Sequence, residues 1–185
     1  MSGIEPQIHR LRSGQDLLIR CPTLDDASHL CRYLAALWAD PGYFNVTGPG
    51  EVHLTAEQEA AWIQAHLDAP AQLALVADIA GEIVGLLDCD APPRRRLAHT
   101  AELGISIAAD WRELGIGRLL LQAALDWARA HPQLEKLWLT VIATNARAIH
   151  LYSALGFREE GRAHRAIKFE DGAYADMLQL FQWVK

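Results

Sequence analysis

The stretch that most constrains this 185-residue chain is Ala101 to Ala130. Ala101–Ala108 alternates, with Leu103, Ile105 and Ile107 on one side and Glu102, Gly104 and Ser106 on the other, the period-two pattern of a strand with one face in a core. The Gly-rich turn Arg112-Glu113-Leu114-Gly115-Ile116-Gly117-Arg118 follows. From about Gly115 the period changes to that of a helix: Ile116, Leu120, Ala124 and Trp127 form one stripe, and Arg118, Gln122 and Arg129 lie opposite. Glycines at a strand-to-helix turn let a ligand come close to the backbone. The free N–H groups of the first helical turn then favour an anion such as a pyrophosphate. Lys-Ser/Thr is missing after the second glycine, so the turn is not a Walker A loop. Leu120 stands where a dinucleotide fingerprint needs its third glycine.

The rest of the chain places this unit in a mixed α/β sheet. Strands are expected at Asp16–Cys21, Leu73–Ile79, Glu82–Cys89, Leu137–Ile142, Ala163–Phe169 and Ala175–Val184. Helices are expected at Ala27–Trp38, from Thr55 through Leu67, and at Asn145–Leu155. Asp40-Pro41-Gly42 breaks the first helix, Ala80-Gly81 reads as a hairpin, and Glu170-Asp171-Gly172 as a turn. The predicted order is strand, two helices, three strands, helix, strand, helix, two strands. This is one domain, 1–185, with its core at about 17–183.

Charge narrows the functions. Net charge is -6, which argues against a general nucleic-acid binder. Residues 1–91 hold 4 Lys+Arg against 13 Asp+Glu, a balance of -9, and residues 92–185 hold 13 against 10, a balance of +3. This reads as an acidic surface for a cationic ligand beside a basic one for an anionic ligand. No apolar run reaches the roughly 18 residues of a membrane span. Cys21, Cys31 and Cys89 suggest neither a disulfide framework nor a metal site, so a cytoplasmic protein without metal is expected.

A second block sharpens the reading. In Asn145-Ala-Arg-Ala-Ile-His-Leu-Tyr152-Ser-Ala-Leu-Gly156-Phe157, Asn145 suits a helix cap, and Tyr152 lies seven residues on, on nearly the same helical face. Arg112-x-x-Gly115-x-Gly117 resembles the acyl-CoA pyrophosphate loop of the GNAT family of N-acetyltransferases. Asn145 through Phe157 resembles that family's second conserved block. The resemblance covers roughly residues 17–183. The segments from Ala101 to Ile107 and from Phe169 to Asp176 also resemble the bacterial branch that acetylates amino acids, protein N-termini or polyamines.

The resemblance implies the acyl-CoA N-acyltransferase fold, a mostly antiparallel sheet flanked by helices, with acetyl-CoA as cosubstrate. It implies direct attack of a primary amine on the thioester, in a ternary complex without an acyl-enzyme. An amine of pKa about 10 is mostly protonated at neutral pH, so a base is needed. Glu102, on the polar face of its strand, is the candidate base. Tyr152 is the candidate acid for the leaving thiolate. Ile105, Ser106 and Ile107 are expected to pair with the pantetheine arm through their backbone. Arg112, Glu113, Leu114, Gly115, Ile116, Gly117, Arg118 and Asn145 complete the expected cofactor site. His99 and His150 are secondary bases, with His150 read as structural. Arg94, Arg95 and Arg96 read as a solvated turn.

The acceptor is expected near Trp38, Tyr43, Phe44 and Trp62, with Glu51, Glu57 and Glu59 among them, a mixture suited to an ammonium group. It is a small-molecule amine or, as the alternative, a protein N-terminus. A catalytically silent acyl-CoA-binding domain is the non-enzymatic rival. The reading allows a homodimer and expects neither nucleic acid nor membrane as partner.

Overall fold

The computed structural model describes residues 3–39, 46–48 and 50–185. Eight strands form one sheet: β1 (Gln7–Arg10), β2 (Asp16–Arg20), β3 (Gln72–Ile79), β4 (Glu82–Asp90), β5 (Thr100–Ile107), β6 (Lys136–Ile142), β7 (Arg158–Lys168) and β8 (Tyr174–Trp183). The four α-helices are α1 (Ala27–Ala39), α2 (Ala56–Asp68), α3 (Ile116–Ala130) and α4 (Ala146–Ala154). The spatial order is β1-β2-β3-β4-β5-β6-β8-β7. Every neighbouring pair is antiparallel except β5 and β6.

The mixed, mostly antiparallel class and the order of elements agree with the sequence reading, with two exceptions. β1 gave no signal because its only large apolar residue, Ile8, is exposed, and it pairs with β2 through backbone and the exposed Arg10–Asp16 ion pair at 2.7 Å. β7 begins at Arg158 rather than at Ala163, since Arg158-Glu-Glu-Gly-Arg is an edge segment that buries almost nothing.

Local chemistry explains the best-defined joints. Ala80 (φ 53°) and Gly81 (φ 88°) both have positive φ, as a two-residue hairpin of matching twist requires. Thr55 caps α2 by accepting from Gln58 N, while Gln58 Oε1 accepts from Thr55 N. Arg20 binds Asp26 at 2.7 Å and Asp78 at 2.9 Å, tying the entry of α1 to β2 and β3. The Arg20 hydrogen bond, working against burial, holds the Asp26 carboxyl down at about 2.

The helices cover both faces. Leu17, Leu75, Leu87 and Leu103 pack with Leu120, Leu121 and Leu125 of α3 and with Tyr152 and Phe157 at α4. On the other face Val76, Ile83 and Leu86 meet Leu30, Tyr33 and Leu37 of α1 and Ile63 of α2. Each large aliphatic group so buried contributes about 1.5–3 kcal/mol.

The feature that makes a site is a break in this sheet. β5 pairs with β6 only at Thr100, Ala101 and Glu102, opposite Lys136, Leu137 and Trp138. Beyond Glu102 no β5–β6 register partners occur among the described residues, whereas β4 stays paired with β5 as far as Ile107. The two strands therefore open into a wedge at the C-terminal end of β5.

Candidate active site

The wedge is a cleft of about 690 Å³. Leu103 to Ile107 form one wall and Thr140 to Ile142 the other. The turn before α3 and the start of α4 close one end, and Asp88, Asp90 and Glu102 line it elsewhere. Its two ends carry opposite charge, as the split along the sequence suggested. Arg112, Arg118 and Arg147 stand with the helix starts, where Glu113 pairs with Arg147 at 3.4 Å, and Asp88, Asp90 and Glu102 stand on β4 and β5.

At the cationic end, Gly115 is the N-cap of α3 with φ +88°, and a side chain there would meet open space. Only glycine takes that conformation without strain, and the bare turn leaves the helix N–H groups accessible. Gly117 has a second reason to lack a side chain: its Cβ would lie 3.3 Å from Leu151 Cδ2 of α4. Arg112 turns back, its Nε donating to the Ile107 carbonyl at 3.1 Å, so it fastens the turn to the end of β5. Of the residues expected at the cofactor site, Arg118, Glu113, Ile105, Ser106, Ile107, Asn145 and the almost fully buried Ile116 line the cleft, while Leu114 packs on the core instead. Asn145 Oδ1 accepts from Ala148 N at 3.1 Å, capping α4. Tyr152 is 7% exposed, edge-on to Phe157, and lines the cleft from the α3–α4 face.

The carboxylates stand on the opposite face. Tyr33 of α1 donates from its hydroxyl to Ser106 Oγ at 2.9 Å, which fixes Glu102, Gly104 and Ser106 toward α1 and α2. Asp88 sits across from Gly104, so close that a Cβ on Gly104 would be 2.8 Å from Asp88 Oδ1. Burial, then the charges of Asp90 and Glu102, push the Asp88 carboxyl up to about 6, while nearby His66 pulls it down. Burial, then Asp90, also raises Glu102.

His66 of α2 is 4% exposed. Its Nδ1 is 3.0 Å from the Trp62 carbonyl, and its Nε2 is 3.3 Å from Asp90 Oδ1. Burial opposes its charge, but Asp90, the Trp62 carbonyl and Asp88 outweigh burial, and its pKa rises.

Several expectations change. Trp38, Trp62, Glu51, Glu57 and Glu59 do not line the cleft; Trp62 lies against the second core and the His66 ring. Tyr43 and Phe44 lie outside the described residues. The carboxylates come from β4 and β5 because the wedge opens there and not between the helices. His150, read as structural, lines the cleft, whereas His99 does not. Arg94 to Arg96 are an exposed turn away from it. Asp88 and Asp90 were missed. Their signal was present: two carboxylates two residues apart at the end of an apolar strand must share a face. His66 and Arg147 had no comparable signal. Burial raises the Cys31 and Cys89 thiols, and neither lines the cleft, so neither suits a nucleophile.

A profile described as the Acetyltransferase (GNAT) family matches residues 34–157. The chain belongs to that family. Its acetyl donor is acetyl-CoA, and it is an N-acetyltransferase. It is 31% identical to the L-amino acid N-acetyltransferase AaaT of Escherichia coli over 115 residues, 62% of this chain and 70% of that one. It is 29% identical to an N-alpha-acetyltransferase of Sulfurisphaera tokodaii over 154 residues, 80% of this chain and 84% of that one. Among solved structures it matches a GNAT acetyltransferase from Streptococcus pneumoniae with a TM-score of 0.86 at 31% identity, covering 90% of this chain and 99% of that one.

The wedge fits acetyl-CoA in kind. The free β5 edge at Leu103–Ile107 offers an amide row to an extended arm. The bare turn at Gly115, with Arg118 and Arg147 nearby, offers donors and charge to phosphates. Among the described residues no cluster suited to a metal ion occurs.

Proposed function

We propose that this acetyltransferase acylates a small cationic primary amine by direct attack in a ternary complex. The observation that carries the reading is the meeting of Asp88, Asp90 and Glu102 in the wedge, on the face opposite Tyr152. Three carboxylates at one end of a cleft attract an ammonium group and repel a second carboxylate.

Bound along β5 and the turn before α3, acetyl-CoA supplies an activated acetyl group. Asp90 and Glu102 hold the acceptor's ammonium. Asp88 removes its proton, since a carboxyl near 6 is ionised at neutral pH yet far more basic than an ordinary Asp. As the new C–N bond forms and the C–S bond breaks, Tyr152 delivers a proton from its phenol to the leaving sulfur from the other face, and the second proton shed by the acylated nitrogen restores the phenol. Gly115, Gly117, Arg118 and Arg147 bind phosphate, and Ser106, held by Tyr33, fixes the strand edge. This reading moves the base from Glu102 to Asp88, because Asp88 is the more enclosed and the more strongly shifted of the two.

The test is a panel of amines with acetyl-CoA, read by release of free thiol. Diamines and other cationic amines should release thiol, and free amino acids should do so much more slowly. A preference for peptides bearing a free N-terminus would favour protein acylation over that of a small amine. CoA binding without release for any amine would overturn the enzymatic reading.

Two variants probe the roles. Tyr152→Phe removes one hydroxyl from a residue held by packing, so kcat should fall roughly 10- to 1000-fold with CoA affinity little changed. Wild-type kcat, under conditions where chemistry limits, would make Tyr152 a packing residue. Glu102→Gln should raise the amine KM about 10-fold and leave kcat nearly intact, the pattern of lost binding rather than lost proton transfer. A fall in kcat that shrinks at high pH would return the base role to Glu102.

A further inference from the structure

Asp88 and Asp90 stand two residues apart on one face of β4, and two like charges this close cannot both ionise freely. What distinguishes them is His66. Its Nδ1 faces the Trp62 carbonyl, an acceptor that requires a donor. Its Nε2 faces Asp90, which when ionised also only accepts. Only the imidazolium form carries a proton on both ring nitrogens, and the Nε2–Asp90 contact at 3.3 Å is an ion pair rather than a hydrogen bond. The cation therefore lies directly on Asp90, and Asp88 feels it only at longer range.

We infer that His66 divides the labour of the two carboxylates: it pairs with Asp90, the seat of the acceptor's ammonium, and leaves Asp88 to take up and release the proton. This rests on the proposed function in so far as Asp88 serves as its base. His66 is a positioning residue, acting through Asp90 across the gap between α2 and β4.

The groups facing Asp88 are few. Asp90 lies on its own strand, Glu102 on β5 and His66 on α2. On β3 the opposite residues are Ala74 for Asp88 and Gln72 for Asp90, neither of which titrates. Of these groups only His66 is cationic, so removing its charge can shift Asp88 in one direction only. The Asp88 carboxyl must move further up, because a neighbouring positive charge stabilises the carboxylate.

The test needs neither amine nor acetyl-CoA, so it stays separate from the thiol-release panel. Carboxyl carbon signals of the full chain labelled at Asp are titrated by NMR and assigned by their loss in Asp88→Asn and Asp90→Asn. In the wild type, Asp88 should titrate near 6. In His66→Gln, which retains a hydrogen-bond donor without the charge, Asp88 should move up by about one unit. With an active amine, the acid limb of kcat/KM should follow Asp88 to higher pH and the plateau should recover. A merely structural role would lower the plateau and leave the limb in place. Unchanged midpoints in His66→Gln, or Asp90 rather than Asp88 titrating near 6, would overturn the inference. If that variant does not fold, the imidazole nitrogens of the wild type decide. Protonation of both at pH 7 supports the division, and a neutral ring there overturns it.

Discussion

Gly115→Asp should reduce CoA affinity by more than about 100-fold, measured by calorimetry or by displacement of a fluorescent CoA analogue. Two effects add. At φ +88° any side chain strains the backbone, although Asp and Asn bear this better than most residues. The new carboxylate also stands at the mouth of α3, where it takes the helix dipole and Arg118 for itself and repels an incoming phosphate from the same N–H groups. Nothing lies within 4 Å of the position, so no clash confuses the reading. Gly115→Asn separates the two effects, since it has nearly the same shape and tolerance of positive φ but no charge. It should retain most of the affinity that Asp loses, and the gap between the two should narrow as salt is added. Equal affinity in Gly115→Asp and the wild type would move the phosphate site elsewhere.

Asp88→Asn should lower kcat by about 100- to 10,000-fold, the range a positioned general base contributes. It should leave CoA affinity unchanged, because Asp88 stands at the other end of the cleft. The sign of its pH dependence follows from the raised carboxyl. As a base, Asp88 works only when ionised, so wild-type kcat/KM should rise with pH through about 6 and then level. Asp88→Asn should lack that limb. Its residual rate should climb toward alkaline pH as free amine accumulates on its own. Folding should tolerate the change, since it removes a partly buried charge whose ionisation burial already disfavours. Retention of the acid limb in Asp88→Asn would assign it to another group, with Glu102 next in line.

The two halves of this site differ in how much of them the sequence displayed. The half proposed to bind phosphate is local. The alternation of Ala101–Ala108, the glycines at 115 and 117 and the helical stripe that follows lie within thirty residues. Backbone geometry over that range is set by near neighbours, so Gly115 takes its left-handed turn where the sequence placed it. Asn145 and Tyr152 are equally local, seven residues apart on one short helix capped by the first of them.

The acceptor half depends on contacts that no local pattern encodes. Trp62 and the acidic residues near α2 looked like a cation site in sequence. In the fold Trp62 serves packing, and the carboxylates that enter the cleft are Asp88, Asp90 and Glu102. Edge strands went unseen for a related reason: β1 and the first half of β7 are held by backbone hydrogen bonds to a neighbour and bury too little to leave an apolar pattern. His66 lies 22–24 residues before its carboxylate partners and meets them only because α2 packs beside β4.

The sequence alone determined the strand, turn and helix proposed to bind phosphate, the tyrosine helix and the order of nearly all the elements, since each rests on periodicity or on glycine and cap chemistry within a few turns of chain. Only the tertiary structure decided that β5 and β6 part after three residues. That parting opens a slot through the sheet, so a tyrosine on one face and carboxylates on the other line the same cleft. Parallel pairing between strands some thirty residues apart is set by how α3 and β8 pack around them, and no short-range pattern in either strand records where it stops.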